Sequence, residues 1–164
     1  MADISFDTKD IKAFEAMLTD LGGCPPKVAT KAAGKGATIV RRSVRGLAPQ
    51  GETGNLKRAI KCTSERSSKK GKKVYEITFD RAYNDVLQRP IKNPGEAGGK
   101  SDKAYYPASM EYGFLTRSKG GGYDYVPGYH FMRAGAEDAD ASAKEAISST
   151  AMQELEKIWM EKKG

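Results

Sequence analysis

The stretch "LAPQGETGNLKRAI", Leu47 to Ile60, decides how the chain passes from one element to the next. A basic run with helical spacing precedes it, and a second basic run after it leads into alternating residues. Pro49 has no amide hydrogen and stops a helix, while Gly51 allows a sharp turn. Thr53 is of the type that accepts from the free N–H groups opening a helix. The expectation is a corner, then a short helix from Gly54 to about Ala59. A phosphate loop is the competing reading of "GETGNLK", but its glycines lack the GxxxxGK[ST] spacing and no strand feeds them.

Upstream, residues 26–47 predict a helix with Val28, Ala32, Gly36, Ile39, Ser43 and Leu47 along one stripe. Pro26 suits its first turn, where no backbone N–H is needed. Its middle is built of small residues (Ala29, Ala32, Ala33, Gly34, Gly36, Ala37), which costs helix propensity but lets another helix approach closely. Lys27, Lys31, Lys35, Arg41, Arg42 and Arg45 take the other faces, by default a solvated surface. Before it, residues 8–22 predict a first helix with Ile11, Phe14, Leu18 and Leu21 on one face, Thr8 as cap and Gly22-Gly23 as stop.

Downstream, Ile60, Cys62 and Ser64 alternate, as do Tyr75, Ile77 and Phe79, predicting a β-hairpin whose tip carries Lys69, Lys70, Lys72 and Lys73. Residues 81–104 predict a long surface loop, with a third short strand around Ala82 to Leu87. "AYYPASMEYGF" returns the chain to the core, and residues 114–128 predict a second loop. From "HFMRAG" a long C-terminal helix follows, with Ala143, Ile147, Ala151, Leu155, Ile158 and Trp159 as its apolar stripe. Glu137, Asp138 and Asp140 near its start and Lys162 and Lys163 at its end suit the helix dipole. The predicted fold class is α+β: long N-terminal and C-terminal helices packed on a small antiparallel β-sheet, with two long loops, in one domain spanning residues 1–164.

The 164 residues suffice for one core, and their formal net charge of +7 favours an anionic neighbour without marking a dedicated DNA clamp. The opening "MADISFDTKD" has no basic or apolar region of a secretory leader, and no run is long enough to cross a bilayer. Cys24 and Cys62 belong to no CxxC pattern, so free thiols in a reducing cytoplasm are expected. With only one histidine, His130, no ordinary zinc site can be assembled, and no metal or cofactor is expected. His130 lacks a nucleophile elbow or a reactive cysteine beside it. Glu111, within an aromatic cluster, reads more readily as a carboxylate that pairs with an arginine or caps a backbone end than as a catalytic acid. No catalytic residue is assigned.

Tyr105, Tyr106, Tyr112, Tyr123, Tyr125 and Tyr129 are of a type that stacks on bases, yet few Lys or Arg lie between them. Tyrosine in Gly-rich loops is equally the composition of a protein contact surface. No helix-turn-helix, zinc-finger or RNA-binding signature is present.

Three blocks, "VRGLAPQGETGNLKRAI", "YYPASMEYG" and "HFMRAG", occur in an order that resembles the small tail-component proteins of long-tailed bacteriophages. These are the neck and tail-completion proteins akin to the lambda minor tail protein Z. The family pattern is Ala-Pro-x-x-Thr-Gly-x-Leu-(Lys/Arg)-(Lys/Arg)-x-Ile, then Tyr-x-x-x-x-Glu-x-Gly, then Pro-Phe-(hydrophobic)-Arg-Pro-Ala. The first matches at Ala48, Pro49, Thr53, Gly54, Leu56, Lys57, Arg58 and Ile60, with one extra residue before Thr53. The second matches at Tyr106, Glu111 and Gly113. The third matches at Phe131, Met132 and Arg133, with His130 in place of the proline and Gly135 where alanine is frequent. The blocks order about two-thirds of the chain, and residues 81–104 and 114–128 have no counterpart.

The resemblance implies a non-enzymatic virion protein of the head–tail junction, assembled in the host cytoplasm into a homo-oligomeric ring, with sixfold symmetry and neck, tail-terminator or tail-tube proteins as partners. The tyrosine-rich loops 105–129, with Tyr123, Tyr125 and Tyr129, are then candidates for contact with neighbouring subunits or adjacent rings. Lys35, Arg41, Arg42, Arg45, Lys69, Lys70, Lys72 and Lys73 are candidates for acidic partners or non-specific contact with genomic DNA. The alternative is a free cytoplasmic nucleic-acid-binding protein.

Overall fold

A computed structural model describes Ala16, Thr19 and residues 25–66, 72–91 and 103–163. The predicted helix over 8–22 lies outside the described residues except for Ala16 and Thr19, which are helical. The fold is α+β, with two long helices packed together beside three small two-stranded antiparallel sheets.

Helix α1 spans Pro26–Leu47. It ends because Ala48, held extended (ψ 135°) by the proline after it, cannot continue the spiral. Helix α5, Phe131–Lys163, runs antiparallel to it: Gly135 abuts Val44, Ala143 and Ile147 abut Gly36, and Glu154 pairs with Lys31. The buried residues of α1 are Val28, Ala32, Gly36 and Val44, continued by Ala48 beyond its end. With half-buried Val40 they step by four residues throughout, which forms the i±4 ridge used in helix packing. The predicted stripe is therefore right at Val28, Ala32 and Gly36 and wrong beyond. Ile39 is half-buried, Ser43 donates to Asp138 (2.8 Å), and Leu47 is 50% exposed. In α5 the same step of four carries Phe131, Gly135, Ala139 and Ala143 into the contact.

The small-residue middle of α1 does receive a close neighbour. A Cβ on Gly36 would lie 2.5 Å from Ile147, and one on Gly135 would lie 2.6 Å from the Val44 Cα. Of the predicted α5 stripe, Ala143 and Leu155 are buried, but Ile147 stays 38% exposed. The acidic residues near its start serve side chains, not the helix end: Glu137 pairs with Arg133, Asp138 accepts from Ser43 and Asp140 pairs with Lys144. At the far end, hydrogen bonds from Lys31 and then Lys157 hold the Glu154 carboxyl below the usual range.

Between the two helices the chain forms α2 (Asn55–Ala59), the hairpin β1 (Ile60–Ser64) and β2 (Tyr75–Phe79), a 3-10 turn (Arg81–Tyr83), α3 (Asn84–Leu87), β3 (Gln88–Pro90), β4 (Lys103–Tyr105), α4 (Tyr106–Tyr112), and β5 (Phe114–Arg117) with β6 (Tyr123–Val126). The β1–β2 register, Ile60 opposite Phe79 and Cys62 opposite Ile77, matches the predicted alternation. The single predicted sheet is instead three separate pairs. The strand expected over Ala82 to Leu87 is helical, because Asp80 accepts from the Ala82 N–H and starts a turn there. The 81–104 stretch is not one loop, since β3 pairs with β4 across it, and 114–128 holds the β5–β6 hairpin.

One core joins these pieces. Val44, Ala48, Leu56, Ala59, Ile60, Leu87 and Phe131 are buried together, with Phe79 set edge-on to Phe131 (6.4 Å) and Tyr105 (6.2 Å).

Candidate functional site

The three sequence blocks converge on this core. Ala48, Leu56 and Ile60 come from the first, Tyr106 and Met110 from the second, and Phe131 and Met132 from the third. Their polar link is Glu111, only 6% exposed at the end of α4. Its carboxylate accepts from the backbone N–H of Met132 (2.8 Å) and of Arg133 (3.2 Å). A helix leaves its first N–H groups unpaired and concentrates positive potential there, so a buried anion at that point satisfies both needs. Glu111 thus caps the 33-residue α5 from a distant segment.

The backbone around it is tightly constrained. The His130 N–H donates to the Glu111 carbonyl (3.1 Å), and the Ala134 N–H to the His130 carbonyl (2.8 Å), so His130 is the residue from which α5 starts. It does so at φ 50°, uncommon for a residue with a Cβ. Gly113 sits at φ 84°, where a Cβ would lie 2.3 Å from the Val126 carbonyl oxygen, and a Cβ on Gly128 would lie 2.2 Å from the Glu111 carbonyl oxygen. Glycine at both positions lets the two segments cross.

The corner has the expected shape with a different cap. The Gly54 N–H donates to the Gly51 carbonyl (3.0 Å), closing a turn, and Gly54, left-handed at φ 61°, is the cap of α2. Thr53 stands one residue earlier, and its hydroxyl accepts from the Asn55 N–H only at 3.4 Å. The corner is locked by arginines: Arg45 donates to the Lys57 (2.8 Å) and Arg58 (3.2 Å) carbonyls, and Arg58 donates to the Thr53 carbonyl (2.6 Å). Pro49 is half-buried and Leu56 is buried beneath the corner. A cleft of about 270 Å³ lies beside it, with Glu52, Val86, Arg89 and Tyr106 among its walls.

The cationic candidates divide. Arg45 is half-buried and donates to two backbone carbonyls. Arg41 is half-buried near Cys62, whose thiol is pushed up by burial against the opposing pull of that arginine. Lys73 lies 5.6 Å from the centre of its neighbour's ring, Tyr75, and donates to the Glu65 carbonyl (3.2 Å). Lys35, Arg42 and Lys72 are exposed, while Lys69 and Lys70 lie outside the described residues. The Arg133 side chain is exposed too; its backbone, not its guanidinium, belongs to the junction.

The tyrosine candidates stand on the β5–β6 hairpin and its base. Tyr123, Tyr125 and Tyr129 are 52%, 59% and 66% exposed. Leu115 and Arg117 share a face with Tyr125 and Tyr123 by register, and Phe114 lies on the other face with Val126. Leu115 (61%), Phe114 (47%) and Tyr112 (69%) are also exposed; they lie within the 105–129 stretch expected to meet neighbours, but Leu115 and Phe114 were not singled out in it. The signal was present in "FLTR" and "YDYV" flanking a Gly-rich turn, but with apolar groups on both faces there is no clean alternation to read. The Tyr125 hydroxyl donates to the Tyr112 carbonyl (2.6 Å) and ties the hairpin to the end of α4.

Among the described residues no three His, Cys, Asp or Glu side chains converge as metal ligands would. Comparison of the chain with protein-family profiles, characterised proteins and solved structures finds no match.

Proposed function

We propose that this chain is a non-enzymatic structural subunit of the head–tail junction of a long-tailed bacteriophage, completing the neck or tail as one copy in a ring so that capsid and tail can join. One observation carries the reading: the β5–β6 hairpin presents large apolar side chains to solvent on both faces. A two-stranded hairpin is marginal in water by itself, and exposed patches of this kind mark contact sites. Tyrosine and arginine on the Leu115 face are what buried interface centres favour. A ring needs head-to-tail contacts between two different surfaces of the same chain. The protruding hairpin and the cleft beside the corner are two such surfaces. The three resemblance blocks share one core, and the second and third together build the α5 cap, which supports the family reading, since residues that pack together have reason to recur together. Sixfold closure and the neck, terminator or tube partners rest on the resemblance.

Peptide mass analysis of purified mature particles tests the assignment. The chain is expected at a fixed copy number matching one ring per particle, and its absence from particles would overturn it.

A further inference from the structure

Beyond the ring, and independently of it, we infer that the outward face of α1 docks along a nucleic-acid duplex through its phosphates. Lys27, Lys31, Lys35, Thr38 and Arg42 are all exposed and follow one another at four, four, three and four residues. That spacing averages close to the helical repeat, so the residues form a straight row of about 22 Å. The row contains four cations, and α1 carries no acidic residue at all. Lys31 is drawn aside to Glu154, whereas Lys27, Lys35 and Arg42 make no ion pair among the described residues.

The partner follows from the shape of the charge. A single-signed straight row fits a linear polyanion, and a duplex offers one negative charge per roughly 1.7 Å of axis. Single strands are bound by aromatic platforms interleaved with cations, and this row has no aromatic member. The acidic helix of a second copy is a poor fit, because α5 intersperses Lys144 and Lys157 among its acids on the exposed surface. Contacts of this kind go to the backbone and carry no base readout, so the binding is independent of sequence.

Fluorescence anisotropy of the full chain with a labelled DNA duplex across a salt series tests this. Three cations with no ion pair among the described residues predict weak binding whose logarithm falls with log salt at a slope of about −3. The triple variant Lys27→Glu/Lys35→Glu/Arg42→Glu should abolish binding, while the Lys27→Arg/Lys35→Arg/Arg42→Lys variant should retain it, both with wild-type melting and oligomeric state. Wild-type binding that ignores salt, no wild-type binding at low salt, or an unaffected triple-Glu variant would each overturn the inference. Loss of the ring with duplex binding retained would contradict only the proposed function.

Discussion

Glu111 stabilises a helix that begins 20 residues after it, accepting from the backbone N–H groups of its second and third residues. Replacing it by alanine leaves the part-buried Met132 and Arg133 N–H groups without the Glu111 acceptor, at a cost of about 1–3 kcal/mol. For a domain of this size each kcal/mol moves the melting midpoint by roughly 2–4 °C. Glu111→Ala is therefore expected to melt several degrees lower, and Glu111→Gln, which keeps one acceptor oxygen, to fall between. An unchanged midpoint by calorimetry would show that the cap contributes nothing. Glu111 was legible as a capping or pairing carboxylate because an acid within apolar neighbours needs a partner. Which N–H groups it meets was not legible, since they lie in another segment brought near only by the crossing of Gly113 and Gly128.

At the scale of elements, α1 and α5 meet through glycines of unequal importance. A methyl at position 135 would press on the Val44 backbone, which cannot yield without moving α1, whereas one at position 36 meets the half-exposed end of Ile147, which can rotate away. Gly135→Ala is thus expected to destabilise by about 1–3 kcal/mol. Gly36→Ala is expected to be close to neutral, because the gain in helix propensity of about 1 kcal/mol offsets the displacement. Equal losses in denaturant melts of the two variants would refute this account of the helix contact. Both helices and the β1–β2 hairpin were readable from periodicity, because their buried residues recur at the helical or the strand repeat. The stripe was misplaced past Gly36 because a ridge stepping by four drifts around the helix, so the contact passes from Gly36 to Val40 and Val44 and not to Ile39 and Ser43. The β3–β4 pair was missed because the turn-rich stretch between its strands reads as one loop, and three-residue strands show no alternation.

For the molecule as a whole, two surfaces among the described residues are largely exposed: the two-faced aromatic hairpin and the straight cationic row on α1. The first was only partly visible in the sequence, as tyrosines in a glycine-rich region. The second was visible as charge but not as a line, because only the structure separates Arg41 and Arg45, turned inward, from Lys35 and Arg42, turned out. The central claim is that the hairpin joins copies into a closed ring. Native mass spectrometry of the purified full chain, beside a Leu115→Ser/Tyr123→Ser variant whose exposed positions leave the core untouched, tests it most directly. The wild type is expected as a single closed oligomer, six copies by the resemblance, and the variant as a folded monomer. A wild type that remains monomeric at every concentration, or a variant that assembles equally well, would contradict it.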